Sequence, residues 1–455
     1  TALDPFNNTD TAYGGTVHFT SSDGGATLPA DTTLTNGTGT FNATLRTAGN
    51  QTLTATDTVI SSITGTSNSI ALTAAAEDHL AIGQQPTTTT AGVAINPAVT
   101  VRILDQFNNL TTSTATVALS PNGPEPFTAG STTSVAAVGG VATFSNLVLN
   151  TAGTYTISAA STSLTGATSS SFNVTAAAAD HLAIGQQPTT TTAGVAINPA
   201  VTVRILDQFN NLTTSTATVA LSPNGPEPFT AGSTTSVAAV GGVATFSNLV
   251  LNTAGTYTLG AASAGLTGTI STSFLVSAAT ASTLLVAGYP SPTTAGDAHN
   301  FTVNAIDAFG NIATGYTGTV HFTSSDGAAS LPPDSTLAAG SSSFSATLRT
   351  VGSQTLTATD TVTSSNTGTS NAIAVAAAAA THFTISAPAS AIAGTAFGFT
   401  VSAQDQFNNT ATGYGGTVHF TSSDGNATLP VDSTLTNGAG AFNATLRTAG
   451  SQTLT

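Results

Sequence analysis

The chain has 455 residues, of which only 5% are charged, and its formal net charge at pH 7 is −15. This length exceeds what one compact core supports, so several domains are expected. Five arginines and no lysine cannot form a phosphate-neutralising surface, which excludes nucleic acid and a polybasic membrane contact as partners.

Cysteine, methionine and tryptophan are absent, which excludes disulfides, thiolate metal sites and cysteine nucleophiles. No apolar run reaches the roughly 18 residues of a membrane helix, so this segment is not expected to insert into a membrane. The sequence begins without a signal-peptide pattern, and any targeting segment is expected outside it. A composition rich in Ala, Thr, Ser, Gly and Asn is typical of an extracellular or cell-surface structural protein.

The first motif is GGTVHFTSSDG at residues 14–24, in which His18 precedes Asp23. Val17 and Phe19 alternate with His18, so the pattern predicts a strand whose histidine faces solvent. Asp23 and the glycine after it are typical of a turn. The motif recurs around His321 and His419, and we interpret it as structural.

Internal repeats divide the chain. Asp78–Thr156 and Asp180–Thr258 are identical over 79 residues, and a second repeat type carries the histidine motif. We call the histidine-bearing repeats type A and the identical pair type B. The predicted domains are a partial type A module at 1–77 without its first strand, type B modules at 78–179 and 180–281, a type A module at 282–380, and a partial type A module at 381–455 without its last strand.

Within the first type B module, Val99, Val101 and Ile103 alternate with more polar residues, and turn residues recur every 8–12 positions. The pattern predicts seven strands, near 79–86, 97–106, 115–120, 128–136, 140–149, 154–163 and 168–176. We therefore expect an all-β fold, a tandem array of about five seven-stranded antiparallel sandwiches. The joints are short and rich in alanine, which favours an elongated, semi-rigid rod of roughly 200 Å.

The partial modules lead to two expectations. One is that the 455 residues are a window on a longer repeat chain. The other is that a neighbouring subunit supplies the strand that each partial module lacks, which is strand complementation.

GGVATFSNLVLNTAGTYT at 139–156, and the order of an Asp-x-Phe-Gly-Asn turn, a TVHF strand and an SSDG turn, resemble tandem bacterial immunoglobulin-like modules. Such modules occur in invasin- and intimin-type adhesins, and filamin repeats are similar. The resemblance implies a stalk, spacer, adhesive rod or fibre with no catalytic residues. Tyr155 and Tyr257 fit a tyrosine corner. Type A modules place Gln51, Gln354 and Gln452 there, which puts that contact in doubt for them.

The segment Asp105-Gln-Phe-Asn-Asn109 recurs once per module. Aspartate and asparagine are typical of Asx turns, and their oxygens are also calcium ligands, so both interpretations are open. No catalytic motif is present and no cofactor is expected beyond this structural calcium. The candidate calcium residues are Asp105, Asn108, Asn109, Asp207, Asn210 and Asn211.

Eleven Asn-x-Ser/Thr sequons are candidate N-glycosylation sites in a surface protein. They lie at Asn7, Asn36, Asn42, Asn50, Asn109, Asn173, Asn211, Asn300, Asn408, Asn426 and Asn443.

These observations predict a non-enzymatic extracellular structural protein, a fragment of a long immunoglobulin-like repeat chain that forms a surface fibre or stalk. Self-association into fibres is expected, together with a glycan or a surface molecule as a further partner. Two alternatives stay open. One is an adhesin stalk or a module that binds glycan or protein, and the other is the spacer region of a large secreted enzyme.

Overall fold

The structure is a computed structural model that describes residues 1–455, and it consists of 39 β-strands without a helix. It therefore contains no helix that is able to cross a membrane. Most strand pairs are antiparallel, and each complete module contains separate hydrogen-bonded sheets. The predicted fold class, an all-β tandem array of immunoglobulin-like sandwiches, is confirmed.

Each type B module has two sheets. In the second module their orders are β12-β9-β7 and β11-β10-β13-β15-β8, with β14 beside β13, and the third module repeats both. The strands are β7 (Glu77–Gln84), β8 (Thr89–Thr90), β9 (Val99–Asp105), β10 (Thr116–Asn122), β11 (Ser134–Ala136), β12 (Val141–Phe144), β13 (Gly153–Ala160), β14 (Ala167–Thr168), β15 (Phe172–Thr175), β16 (Ala179–Gln186), β17 (Thr191–Thr192), β18 (Val201–Asp207), β19 (Thr218–Asn224), β20 (Ser236–Ala238), β21 (Val243–Phe246), β22 (Gly255–Ala262), β23 (Thr269–Ile270) and β24 (Phe274–Ser277).

The type A modules follow the same plan, and the fourth module has the sheet orders β25-β27-β30, β26-β34-β31 and β29-β28-β32-β33. The strands are β1 (Thr16–Ser21), β2 (Thr32–Thr33), β3 (Gly49–Gln51), β4 (Leu53–Asp57), β5 (Thr64–Thr66), β6 (Ile70–Leu72), β25 (Thr283–Ala287), β26 (Thr293–Thr294), β27 (Ala298–Ile306), β28 (Thr319–Ser324), β29 (Ser335–Thr336), β30 (Ser341–Thr347), β31 (Gly352–Gln354), β32 (Leu356–Asp360), β33 (Thr367–Thr369), β34 (Ile373–Ala376), β35 (His382–Ser386), β36 (Ala396–Gln404), β37 (Thr417–Val418), β38 (Ser433–Thr434) and β39 (Ala439–Thr445).

Alternation along β9 places one face in the core. Val99, Val101 and Ile103 are fully buried, whereas Arg102 between them is exposed. A strand with this two-residue period buries one face, and β9, the central strand of its sheet, places that face in the core. Asp105 ends the buried row, and it is fully buried too.

The first strand of a type B module is divided between the two sheets. β7 pairs antiparallel with β9, and the short β8 pairs parallel with β15 on the other sheet. Pro86 lies between them, where its missing N–H ends the first pairing. The strand predicted at 79–86 is therefore shifted by two residues, since β7 runs from Glu77 to Gln84. The strand predicted at 128–136 is too long, since β11 begins at Ser134.

Five separate clusters of buried apolar residues run along the chain, and each cluster's buried residues lie within one predicted module range. Two aromatic residues cross this division. Phe209 packs against the cluster of the second module and Phe407 against that of the fourth, although each belongs to the following module. Neighbouring modules are therefore in contact through these rings.

Candidate functional site

In the second to fifth modules the segment that follows the second long strand forms a tight turn, and we call it the joint loop. In the second module it is Asp105–Asn109. Oδ1 of Asp105 accepts hydrogen bonds from the backbone N–H of Phe107, at 2.8 Å, and of Asn109, at 2.9 Å. Asn108 has a φ of 69°, a left-handed conformation that asparagine tolerates. The loop is therefore an Asx turn.

Asn109 of this loop contacts the preceding module. Its Oδ1 accepts a hydrogen bond from the backbone N–H of Ala48, at 2.8 Å, and its Nδ2 donates to the carbonyl of Arg46, at 2.6 Å. Nδ2 also donates to Oδ2 of Asp105, which accepts from the N–H of Ala75 in the connecting segment as well. One side chain thus joins two modules and their connection.

The other three joints are built in the same way. Asn211, Asn311 and Asn409 each accept from a backbone N–H and donate to a backbone carbonyl of the preceding module. We call the contacted stretch the acceptor segment, which is 46–48, 150–152, 252–254 or 349–351. The pairs are Asn211 with Ala152 and Asn150, Asn311 with Ala254 and Asn252, and Asn409 with Val351 and Arg349.

The phenylalanine of the joint loop packs on the preceding module. A β-carbon on Gly92 would lie 2.6 Å from the ring of Phe209, and Gly194 and Phe309 are in the same relation. In the first joint the guanidinium carbon of Arg46 lies 5.7 Å from the centroid of the Phe107 ring. Each joint therefore combines an asparagine hydrogen-bond pair with an aromatic contact.

A side chain four residues further on holds the middle carbonyl of each acceptor segment. In type B modules the Tyr155 hydroxyl donates to the Thr151 carbonyl at 2.9 Å, which is the predicted tyrosine corner. In the first module Nε2 of Gln51 donates to the equivalent Thr47 carbonyl at 3.0 Å. The doubt about type A modules is resolved, since glutamine makes the corner contact in place of tyrosine.

Asp23 of the opening motif binds the acceptor segment of the first module. It is buried and accepts hydrogen bonds from the backbone N–H groups of Arg46 and Thr47 and from the Thr47 hydroxyl. The side-chain bond from Thr47 and these backbone bonds hold the pKa of Asp23 well below its usual range, although burial opposes them. The sequence indicated only a turn here.

The histidine of the same motif pairs with a different carboxylate. Nδ1 of His18 lies 2.7 Å from Oδ1 of Asp31, and the His18 side chain is 57% exposed, as its strand position predicts. His321 pairs with Asp334, and His419 with Asp432, at the same distance. The spacing of 13 residues, repeated three times in the sequence, was the signal that could have identified these pairs.

The joint-loop aspartates are ionised in the folded protein. Burial raises the pKa of Asp105, but hydrogen bonds from Asn109, Ala75 and Phe107 outweigh it and lower the pKa to about 2. Burial also raises the pKa of Asp207, Asp307 and Asp405, but the equivalent hydrogen bonds outweigh it, so the pKa of each is lowered. Each joint is therefore organised around a carboxylate that accepts only N–H donors.

The residues proposed as calcium ligands are brought together but are already engaged. Both oxygens of Asp105 accept N–H donors, and Oδ1 of Asn109 faces the N–H of Ala48. Oδ1 of Asn108 lies 3.2 Å from Nε2 of His79, and Asp207, Asn210 and Asn211 repeat this arrangement. No group of three or more His, Asp or Glu side chains is placed to hold a metal ion. Calcium binding by this loop stays a prediction.

The eleven sequons fall into two classes. In the folded chain Asn109 and Asn211 are buried, and both donate Nδ2 hydrogens to protein oxygens. In these two sequons the threonine also has a structural partner, since the Thr111 hydroxyl donates to the Ile103 carbonyl. The exposed sequons are Asn7, Asn36, Asn42, Asn50, Asn173, Asn300, Asn408, Asn426 and Asn443.

No protein-family model matches the sequence. No curated protein matches it either. Among solved structures, the Escherichia coli adhesin FdeC is 14% identical, over 67% of this chain and all of that chain, with a TM-score of 0.33. InvD of Yersinia pseudotuberculosis is 15% identical over 64% of this chain and 95% of that chain, with a TM-score of 0.33. Invasin, a bacterial integrin-binding protein, is 17% identical over 85% of this chain and 76% of that chain, with a TM-score of 0.27. In architecture the chain is similar to the tandem immunoglobulin-like domains of bacterial adhesins.

Proposed function

We propose that this chain is a non-enzymatic extracellular spacer, a stiff stalk or fibre segment at a cell surface. The observation that carries the proposal is the recurrence of one contact at four successive joints. At each joint one asparagine, buried at three joints and half-buried at Asn311, makes two hydrogen bonds to the preceding module, and one phenylalanine ring contacts that module. A chain whose purpose is to hold its ends apart requires joints that resist bending.

The composition supports a location outside the cell. The chain has no cysteine, no methionine and no lysine, so it offers no thiol or thioether to oxidation. Trypsin-like proteases find only five arginines, and Arg102 and Arg204 lie inside the central strands β9 and β18. Such a segment is suited to an oxidising and protease-rich environment.

The stiffness of the joints is tested by small-angle X-ray scattering from the 455-residue chain. We expect a maximum dimension of about 200 Å, as five sandwich modules in line require. A variant with Asn109, Asn211, Asn311 and Asn409 all changed to alanine is expected to have a smaller maximum dimension and a broader distribution of interatomic distances. The matched control changes four exposed asparagines, Asn42, Asn173, Asn300 and Asn443, to alanine and is expected to scatter like the parent.

A parent chain that already scatters as a flexible string would overturn the stiff-spacer proposal. An unchanged distribution of interatomic distances in the variant with all four joint asparagines replaced would also overturn it. Self-association into fibres is part of the proposal and has its own readout, which is mass per length in electron micrographs of native surface material. Uniform fibres are expected, and separate beaded strings that end in a distinct knob would favour the adhesin alternative.

A further inference from the structure

The four joints contain every ordered combination of the two module types. Along the chain they are A to B, B to B, B to A and A to A, and the asparagine contacts are the same in all four. In each case the joint loop bonds to backbone atoms of the acceptor segment, its first carbonyl and its third N–H. The side chain at the first position is arginine in type A and asparagine in type B modules, and the contact is the same.

From this we propose that the joint is one common docking interface, which accepts a module of either type on either side. We also propose that the corner side chain is a positioning residue, which sets the acceptor segment so that the next module can bind. The inference goes beyond the spacer function, because it concerns which modules fit together and what chemistry presents the acceptor segment.

In type A modules a carboxylate and a glutamine position the acceptor segment. Nε2 of Gln354 donates to the carbonyl of Thr350 at 3.2 Å, and its Oε1 accepts from the hydroxyl of Ser325 at 2.7 Å. Asp326 accepts from the Thr350 N–H at 2.9 Å, from the Thr350 hydroxyl at 2.6 Å and from the N–H of Arg349. The acceptor segment is thus held at the Thr350 carbonyl and at the N–H groups of Arg349 and Thr350.

In type B modules a glycine and a tyrosine position the same carbonyl in another way. Alignment of β10 with β28 places Gly123 where type A modules have Asp326. The ring of Tyr155 fills the space above Gly123, and a β-carbon there would overlap the ring. The tyrosine hydroxyl then reaches the carbonyl of Thr151. The second type B module repeats this with Gly225, Tyr257 and Thr253.

The two solutions are mutually exclusive pairs. A tyrosine at the corner requires glycine at the facing position, because any side chain there collides with the ring. An aspartate at the facing position needs a smaller corner residue, and glutamine then supplies the donor that the tyrosine hydroxyl would have supplied. Exchange of one member alone is expected to displace the acceptor segment, and exchange of both is expected to restore it.

The test is a double-mutant cycle in the full chain. Because the chain has no cysteine, spin labels at Ser345→Cys and Asn443→Cys, both exposed, report the fourth-to-fifth joint alone. The variants are Gln354→Tyr, Asp326→Gly and their combination, with Asn409→Ala as the variant that removes the joint contact itself. The readout is the width of the label-to-label distance distribution, with the thermal unfolding of the fourth module recorded beside it.

We expect a narrow distribution for the parent, a broad one for Asn409→Ala and for each single exchange, and a narrow one again for the combination. Single exchanges that keep the parent width would overturn the positioning role, even where they lower the unfolding temperature. A combination that unfolds normally but stays broad would overturn it as well. If Asn409→Ala keeps the parent width, the stiff-spacer function fails instead, so the two failures are distinguishable.

The common interface has a separate test that needs no substitution at the corner. A chain in which residues 78–179 and 282–380 exchange places still contains all four joint orders, and its scattering profile is expected to match that of the parent. A bent or broadened profile would show that the joints are specific for their natural neighbours.

Discussion

The ring of Phe407 lies against Gly296, a residue of the preceding module, where a β-carbon would come within 2.6 Å of it. The guanidinium carbon of Arg349 lies 5.8 Å from the centroid of the same ring. Gly296 has a φ of 94°, so the absence of a side chain serves both the backbone conformation and the aromatic contact.

Gly296→Ala is expected to loosen this joint and destabilise the fourth module. The left-handed backbone alone costs an alanine about 1 kcal/mol or more, and the clash with Phe407 adds to it. Gly394→Ala is the matched control, because Gly394 has a φ of 81° but no atom within 4 Å of its would-be β-carbon. Denaturant unfolding and label-to-label distances should change more for Gly296→Ala, and equal effects would deny the ring contact.

Acid should release the joints below the range in which ordinary carboxylates titrate. The pKa of Asp105 is about 2, below the roughly 3.9 of an unfolded aspartate, because hydrogen bonds overcome the effect of burial. Such a depressed pKa stabilises the folded joint fully above about pH 4, and the contribution is lost as the pH falls through 2. Distance distributions across the joints should be constant between pH 8 and 5 and broaden below about pH 3.

Asp405→Asn provides the control for the acid experiment. An amide presents N–H donors to Nδ2 of Asn409 and to the N–H of Ala378, where the carboxylate accepted both. The label-to-label distance distribution across the fourth-to-fifth joint of this variant should therefore be broad at every pH. Broadening of the parent that begins near pH 6 would point to histidine in place of these aspartates.

Alkali should leave most tyrosines protonated above their ordinary pKa of about 10. The hydrogen bond to Asp57, helped by burial, raises the pKa of Tyr13 to about 12. Burial and the bond to Asp360 raise that of Tyr316, and burial raises those of Tyr155, Tyr257 and Tyr289. A raised pKa stabilises the fold below about pH 10, and this contribution disappears as the pH approaches 12.

The check is the tyrosinate absorbance of native and denatured chain across this range. Five of the six tyrosines should titrate late in the native chain and near pH 10 in the denatured chain. Tyr316→Phe should remove one late-titrating group and free a hydrogen-bonding position on Asp360. Coincident titration curves for native and denatured protein would contradict the expected burial and bonding.

Glycans, where the native protein carries them, should avoid the joints. Mass spectrometry of native glycopeptides is expected to place N-linked sugar only on exposed sequons and never on Asn109 or Asn211, whose Nδ2 hydrogens are donated within the joint. The two sites are read together because their surrounding peptides are identical. Sugar on this shared peptide would mean that at least one joint is open in the native protein.

The regular strands were predictable from the sequence, and the ends of strands were not. Alternation of Val99, Val101 and Ile103 with polar neighbours predicts β9 to within two residues. The strand predicted at 128–136 is only Ser134–Ala136 in the structure, because the residues before Ser134 make isolated hydrogen bonds and no continuous ladder, such as Thr128 N–H to the Val148 carbonyl and Thr132 N–H to Oδ1 of Asn146. The parallel strand β8, of two residues, is too short for any pattern.

The joints were missed although their residues were recognised. The sequence identifies Asp105–Asn109 as a turn, and the turn is present. The partners of this loop in the other module are a backbone carbonyl and a backbone N–H. Almost every residue type carries these groups, so the identity of the residues there does not indicate the contact. The available signal was that Phe and Asn recur in this loop in both module types, whereas a turn alone requires neither.

The identity of residues 78–156 with 180–258 has a consequence for folding. A strand from one copy satisfies the partner strands of the other copy equally well, and the two copies are adjacent in the chain. Exchange of strands between identical neighbours is a characteristic failure of repeat proteins. Synthesis from the N-terminus gives the earlier copy time to close before the later one emerges, so for this pair the order of appearance, and not the sequence, selects the correct partners.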